Sequence, residues 1–289
     1  MTKYSFIIPV FNEESTIEKV IDDIKLRCSE IKEIEEYEII VVNDNSTDKS
    51  EDILSKKQDI KYLRNLNNFG YGYSLKKGIQ NSKFDNIIII DGDGTYPLSH
   101  LKELINKYND GYDLVVAKRT GKNLNLSPFK KPMRLLLKFI VEFATGIKIA
   151  DINSGYRIIK KNKILNKLKH LSNAFSFTTS MTMTFIYSRN SIAYVDVPYE
   201  LRDKGSSSKV SLFKDSLRTL QYIIKIVLFY DKIKLFVLIA FLQLALSLIL
   251  FVVSIFNISF LIPSFLILIS AVISFCIGML SETYKNDEY

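Results

Sequence analysis

Short apolar runs alternate with amphipathic stretches along most of the chain. The runs predict strands at Phe6–Val10, Glu38–Val42, Ile60–Leu63, Ile87–Ile90, Asp113–Ala117 and Ala193–Val197. Between them, Glu14–Arg27, Thr47–Ser55, Tyr73–Gln80 and Leu98–Asn109 carry apolar residues at helical spacing. Unbroken runs such as EIIVV and NIIIID lack the polar alternation of a strand with one wet face, so both of their faces should be covered. Regular strand–helix alternation predicts an α/β domain with a mainly parallel sheet and helices on both sides. Ligands of such sheets sit beyond the carboxyl ends of the strands, which makes the polar residues there the candidates for chemistry.

The pattern changes at Leu235. From there to Ser281 run 47 residues without an Asp, Glu, Lys or Arg. At about 1.5 Å per helical residue this is roughly 70 Å, enough for two passes of a ~30 Å hydrocarbon layer. Asn257, Ser259 and Pro263 mark a turn, so the run predicts a hairpin of helices at about 235–256 and 260–281. A fully soluble protein is excluded on this reading. So is a multi-pass transporter, because nothing upstream of Leu235 approaches such a run. The expected division is a catalytic-type domain at 1–211, an amphipathic juxtamembrane helix at 212–234, two transmembrane helices at 235–281 and a tail at 282–289.

Lys214, Arg218, Lys225, Lys232 and Lys234 crowd the entry to the first apolar helix, whereas the turn has no basic residue. The positive-inside rule then places the domain and the tail in the cytoplasm. Lys214, Arg218, Gln221, Lys225 and Lys232 recur at helical spacing with Leu217, Leu220, Ile224 and Val227 away from that stripe, a pattern expected of a basic interfacial helix. In Met133–Ala144, Arg134, Lys138 and Glu142 share a face; contact with the bilayer and packing on the domain core remain equal readings.

The formal net charge is +8, and setting aside the tail after Ser281, with one lysine against three acids, raises it to +10. That sign suits anionic lipid or a phosphate-rich substrate. Nucleic acid is not expected as a partner, for the chain has no helix-turn-helix, RNA-binding or zinc-finger pattern. The two cysteines, Cys28 in a polar helix pattern and Cys276 in the apolar run, cannot form a disulfide framework, which suits a reducing compartment.

Three predicted strands end in acids. The first runs into Pro9, Phe11, Asn12, Glu13 and Glu14; the second into Asn43, Asp44, Asn45, Ser46, Thr47 and Asp48; the fourth into Asp91, Gly92, Asp93, Gly94 and Thr95. For the second, helix capping by Ser46 or Thr47 is an alternative. Asp91-Gly92-Asp93 places two carboxylates one residue apart, able to share a divalent cation, with Gly92 allowing a tight bend. Oxygen ligands without a Cys/His cluster favour Mg2+ or Mn2+ over zinc. A glycine-rich turn with solvated acids is the bland alternative.

FIIPVFNEE, VVNDNSTD, NFGYGYSLKKG, IIDGDGTYP, AKR, DINSGYR and RDKGSSSK follow one another in an order that resembles the family 2 glycosyltransferases. The subgroup resembled is that of dolichol-phosphate mannose synthases and bacterial polyprenyl-phosphate sugar transferases, over roughly residues 4–234. The resemblance implies a GT-A-like, Rossmann-type nucleotide-sugar-binding domain. It implies that Pro9, Phe11, Glu13, Val42 and Asp44 hold the base and ribose of a UDP- or GDP-sugar, with Gly92 and Thr95 beside them. Asp91 would contact the donor or metal-bound water, and Asp93 the metal bridging the diphosphate. Arg119, Arg202 and Lys209 would offset phosphate charge. Departures are Asn43 and Asn45 in place of Asp and Gly, Phe11 in place of Tyr, and a one-residue longer Gly205–Lys209 spacing. Asn tolerates a left-handed backbone, so the turn at Asn45 should survive.

Between Asp151 and Asp196 the sequence has no acid. A hydroxyl acceptor needs a base, whereas a phosphate monoester, with a second pKa near 6, is already largely dianionic at neutral pH. The absence fits a polyprenyl phosphate acceptor, undecaprenyl or dolichyl, although Asp151 could itself serve as a base. With no Trp, the chain also lacks the QxxRW-type motif of processive synthases. Asp151, Ser154 and Arg157 of DINSGYR are the expected acceptor-side residues, with Asp151 orienting the site and Arg157 offsetting acceptor charge; a structural Asp–Arg pair is the alternative. Two other functions stay open: transfer to a lipid or glycan hydroxyl, and a non-catalytic nucleotide-sugar-binding scaffold. The apolar helices either bind the polyprenyl chain or pack against sister subunits in a homo-oligomer.

Overall fold

The computed structural model describes residues 2–121, 130–200 and 212–283. The chain divides into two units, 1–222 and 223–289.

The first unit contains seven strands: β1 (Thr2–Val10), β2 (Ile34–Asn43), β3 (Lys61–Arg64), β4 (Asn86–Ile89), β5 (Leu114–Thr120), β6 (Arg157–Lys160) and β7 (Ile192–Pro198). They form one sheet in the order β3-β2-β1-β4-β6-β5-β7. Every predicted strand is present. The β1–β2, β1–β4, β2–β3 and β5–β7 pairs are parallel. β6, which the apolar pattern did not single out, runs antiparallel to both β4 and β5. It splits the sheet into a parallel half and a mixed half, and brings Arg157 to the end where β4 and β5 finish.

Helices α1 (Ile17–Glu30), α2 (Ser50–Ser55), α3 (Tyr71–Asn81), α4 (Leu101–Asn109), α5 (Lys130–Thr145), α6 (Lys161–Ile164) and α7 (Phe177–Tyr187) complete the unit, and α8 (Leu212–Tyr230) crosses the division between units. The sheet is covered on both faces, as the unbroken runs require. Phe6, Ile8 and Val10 pack with Ile17, Ile21 and Ile24 of α1 and Leu101 and Leu104 of α4. The alternate residue Ile7 faces the other way, with Leu75 and Ile79 of α3 and Phe177, Met181 and Phe185 of α7. Helix α7 was not predicted because its sequence, FTTSMTMTFIY, has no apolar stripe. It is buried nearly all round, and its hydroxyls are interior: Thr178, Thr179, Ser180, Thr182 and Thr184 are all buried.

The second unit is built from α9 (Lys232–Ser254) and α10 (Leu261–Thr283), joined by a 3-10 turn at Ile258–Phe260 whose Ser259 amide donates to the Asn257 side chain. Both helices are long and apolar enough to cross a membrane. Many of their large side chains are exposed, while the buried positions are small: Ser247 and Ser254 on α9, and Ser264, Ala271 and Gly278 on α10, with Gly278 against Phe236. Between the helices Gln243 donates to Ser270 Oγ at 3.0 Å and accepts from Ser274 Oγ at 2.9 Å. Ser247 Oγ donates to the Ser264 carbonyl at 2.8 Å. Small residues let helices approach and internal hydrogen bonds keep polar groups away from hydrocarbon, as a bilayer-embedded pair requires.

Candidate active site

The ends of β1 and β2 are fastened together. Pro9 and Val42 are register partners, both buried, and the Asp44 amide donates to the Val10 carbonyl at 2.8 Å. Past them the chain turns through left-handed residues, Asn12 at φ 54° and Asn45 at φ 60°. Asn at 45 therefore does sustain the turn, as its short polar side chain allows. Asn12 ties the two loops, accepting from the Thr47 amide at 2.7 Å and donating its own amide to Ser46 Oγ at 3.0 Å. The Glu13 amide donates to Ser50 Oγ at 2.9 Å, and the Glu14 amide to Asp48 Oδ2 at 3.0 Å. Phe11 is half-buried, and Glu13 is buried.

Asp44 is buried and accepts three hydrogen bonds: from Asn65 Nδ2 at 2.7 Å, the Phe69 amide at 3.0 Å and the Gly70 amide at 2.7 Å. Its carboxylate thus holds the loop that leads into α3. Neither Ser46 nor Thr47 caps α2, which begins at Ser50. The capping alternative gives way to a clasp between loops.

Beyond β4, Asp91 accepts from the Tyr71 hydroxyl at 2.8 Å. Asp93 is buried, and its Oδ1 accepts from the Thr95 amide at 3.1 Å and the Thr95 hydroxyl at 2.6 Å. Thr16 donates to the Gly92 carbonyl at 2.8 Å, pinning the turn to the start of α1. The left-handed residue of the turn is Gly94, at φ 70°, rather than Gly92, so the bend that glycine permits falls two residues later than expected. Burial and the adjacent Asp91 charge push the Tyr71 hydroxyl well above its ordinary pKa, which keeps it a donor.

The donor set here is all oxygen: two carboxylates spaced by one residue, with the Thr95 hydroxyl on the second. No group of three metal-ligating acids, histidines or cysteines occurs among the described residues. That combination fits Mg2+ or Mn2+, ions that take one or two carboxylates, keep waters and complete their shell with substrate phosphate.

On the mixed side of the sheet, Arg119 at the end of β5 closes on Asp151. Nε donates to Oδ2 and Nη2 to Oδ1, each at 2.8 Å, and the Arg119 amide also reaches Oδ2 at 3.2 Å. Asn153 adds its amide to Oδ1 at 3.0 Å. The pair is about nine-tenths buried, with side-chain exposures of 10% and 11%. Burial favours the neutral carboxyl, but the hydrogen bonds and charge of Arg119 outweigh it and hold Asp151 below the usual carboxylate range. Tyr199 lies beneath the guanidinium, 5.5 Å from carbon to ring centroid. An Asp–Arg pair therefore exists, but the arginine is Arg119 and not Arg157.

Arg157 does not present its charge to an acceptor. It is fully buried, and its donors are spent on the Ser154 carbonyl at 2.7 Å, the Ile152 carbonyl at 2.9 Å, the Thr178 carbonyl at 3.2 Å and Thr182 Oγ1 at 2.7 Å. No carboxylate lies within ion-pair distance of it among the described residues. Burial pulls its pKa down, though an arginine stays charged. Ser154 is buried too, donating to the Tyr156 carbonyl at 3.4 Å. Both residues shape the 151–157 turn from within. Arg202 and Lys209 lie outside the described residues.

Tyr71, Asn65 and Tyr96 join the candidate site although residue type and spacing did not single them out, whereas Asn12 stood among the polar residues expected after the first strand. Tyr71 alone left a trace, an aromatic set between two glycines at the start of a helix.

A family model described as glycosyl transferase family 2 matches residues 5–177. An uncharacterized glycosyltransferase, YkcC, of Bacillus subtilis is 27% identical over 197 residues, covering 67% of this chain and 60% of its own length. The undecaprenyl-phosphate 4-deoxy-4-formamido-L-arabinose transferase of Photorhabdus laumondii is 28% identical over 218 residues, covering 73% of this chain and 64% of its own. The chain thus spans under two thirds of the length of these relatives. Among solved structures, glucosyl-3-phosphoglycerate synthase from Mycobacterium tuberculosis, in complex with Mn2+, UDP-glucose and phosphoglyceric acid, superposes with a TM-score of 0.57 at 19% identity. The match covers 78% of this chain and 79% of that one. The likeness identifies the sheet as a GT-A-like fold. With the family model matching more than half of its length, the chain belongs to glycosyl transferase family 2.

Proposed function

We propose that the chain transfers one sugar from a UDP- or GDP-sugar to a polyprenyl phosphate at a membrane surface, with inversion and with Mg2+ or Mn2+. One observation carries the acceptor assignment: both Asp151 oxygens are committed to Arg119 and Asn153. The next acid, Asp196, is exposed and paired with Lys118 at 2.9 Å. Among the described residues, the 151–196 stretch thus offers no available carboxylate base, which suits an acceptor that arrives deprotonated, as a phosphate monoester does. The name of the Photorhabdus laumondii relative, an undecaprenyl-phosphate sugar transferase, supports the same acceptor, and the Mn2+ and UDP-glucose of the mycobacterial structure support the donor and the metal.

In this reading an acceptor phosphate oxygen attacks the anomeric carbon while its bond to the diphosphate breaks on the opposite face. Pro9, Phe11, Glu13, Val42 and Asp44 would frame the base and ribose. Asp91 and Asp93, with Gly92 and Thr95 shaping their turn, would hold the cation, which when bound neutralises the diphosphate and makes it a better leaving group. Arg119, with Arg202 and Lys209, would offset phosphate charge. Asp151 would act through Arg119, setting its position. Ser154 and Arg157 would support the acceptor side from behind.

Helix α5 exposes Leu135, Leu136, Phe139 and Phe143. The described part of α8 exposes Leu217, Ile224, Leu228 and Phe229. Apolar stripes of this kind favour seating at the bilayer. The basic residues around Lys232 then favour a cytoplasmic domain and tail. The test offers membranes containing the protein a panel of radiolabelled UDP- and GDP-sugars with polyprenyl phosphate. A lipid-linked sugar is expected, lost by about 10²–10³-fold in Asp93→Ala. Label entering only protein or polysaccharide would overturn the acceptor, and tight donor binding without turnover would leave a scaffold.

A further inference from the structure

The Asp91 carboxylate is held from two sides by segments distant in sequence. On one side, the Tyr71 hydroxyl donates to Oδ1 at 2.8 Å. On the other, the carboxylate lies against Gly155, where a Cβ would overlap its carbon and both oxygens, so only hydrogen fits. Each side is itself fixed. The Gly155 amide donates to the Tyr96 hydroxyl at 2.9 Å. The Tyr71 ring stacks on Phe175, with centroids 5.6 Å apart and planes 20° from parallel. The two amides before Tyr71, of Phe69 and Gly70, are held by Asp44, and the Tyr73 amide donates to the Asn173 carbonyl at 3.0 Å.

We propose that Tyr71 is a positioning residue which, with the Gly155 seat, fixes the Asp91 carboxylate for its work on the donor and metal, and that Asp44 acts on Asp91 through it. The inference rests on the reading of Asp91 and Asp93 as the metal end of the site. A carboxylate on two rotatable bonds has many orientations; a hydrogen bond on one oxygen and a backbone wall against the whole group restrict them. Outer-shell partners of this kind matter to affinity, since removing one typically weakens a metal site by about 10–100-fold. The arrangement also joins the two ends of a donor site. A residue assigned to the nucleotide, at the end of β2, is linked to one assigned to the cation, at the end of β4, through a loop, a ring and a hydroxyl.

Tyr71→Phe separates this role from simple packing, because it keeps the ring on Phe175 and removes only the hydroxyl. The full-length protein in detergent is titrated with Mn2+ in the presence of UDP, and separately of GDP, with free Mn2+ followed by electron paramagnetic resonance. The expected result is about tenfold weaker Mn2+ uptake in Tyr71→Phe with an unchanged melting temperature. Turnover should fall at limiting Mn2+ and recover at high Mn2+, with the acceptor KM unmoved. Equal Mn2+ affinity in the variant and the parent would overturn the proposal. A parent protein that takes up no Mn2+ with either nucleotide would overturn the metal reading and this inference with it.

Discussion

At the ends of β2 and β4 the acids accept from neutral groups: Asp44 from Asn65 and two backbone amides, Asp91 from a tyrosine and Asp93 from a threonine. Beyond β5 and β6 the acid Asp151 is closed onto a guanidinium, and a second guanidinium, Arg157, lies buried behind it among carbonyls and a hydroxyl. Neutral donors order a carboxylate without themselves cancelling its charge. An ion pair cancels its acid, and the buried Arg157 charge is spent on carbonyls and a hydroxyl of the 151–157 turn and α7. The comparison also assigns different work to the same residue types. Acids on the parallel side hold loops, whereas the acid on the mixed side holds an arginine.

The largest expected effect is on Arg157. If it supports the turn rather than the acceptor, Arg157→Met should leave the Ser154 and Ile152 carbonyls unpaired and cost about 3 kcal/mol or more in denaturant unfolding. Unchanged stability with a raised acceptor KM would break the contrast and return Arg157 to the acceptor. Next, Asp151→Asn leaves the Arg119 charge without its partner and should cost about 2 kcal/mol, less than a fully buried pair because both side chains touch solvent. The pH dependence has a definite sign. The folded pKa of Asp151 is lowered, so its stabilisation is complete above the unfolded carboxyl value of about 3.9 and fades as pH falls through the folded one. The stability gap between parent and variant should be constant near neutrality and close under acid. Turnover should fall as well, and normal turnover in Asp151→Asn would remove the pair from the catalytic machinery. The smallest effect belongs to the parallel half. Asn12→Ala loses the bonds to Thr47 and places Ala at a left-handed backbone, at about 1–2 kcal/mol, and should raise the donor KM but not the acceptor KM. Asn12→Gly keeps the backbone and should recover part of the loss; equal damage to both KM values would mean that the halves are not separate.

Much of this molecule can be read from local pattern. The unbroken apolar runs locate six of the seven strands, because a residue's burial on both sides is written in its neighbours. The charge-free stretch locates the apolar hairpin, since helix length against hydrocarbon thickness is a property of composition. The acids at the strand ends, and the family to which they belong, follow from their order along the chain.

What only the tertiary structure decided are the pairings between distant residues. RIIK gives too short a run to declare itself a strand, and its reversed direction is set by the gap between β4 and β5. Helix α7 shows no amphipathic stripe because protein surrounds it. Asp151 lies six residues from Arg157 yet pairs with Arg119, 32 residues away, because β5 and the 151–157 turn meet at one end of the sheet. Tyr71 reaches Asp91 for the same reason, across 20 residues. Residue type and spacing determine which groups are available and where the strands deliver them. Which of them neutralise one another, and which are left to meet a ligand, is a matter of distances that close only when the sheet has formed.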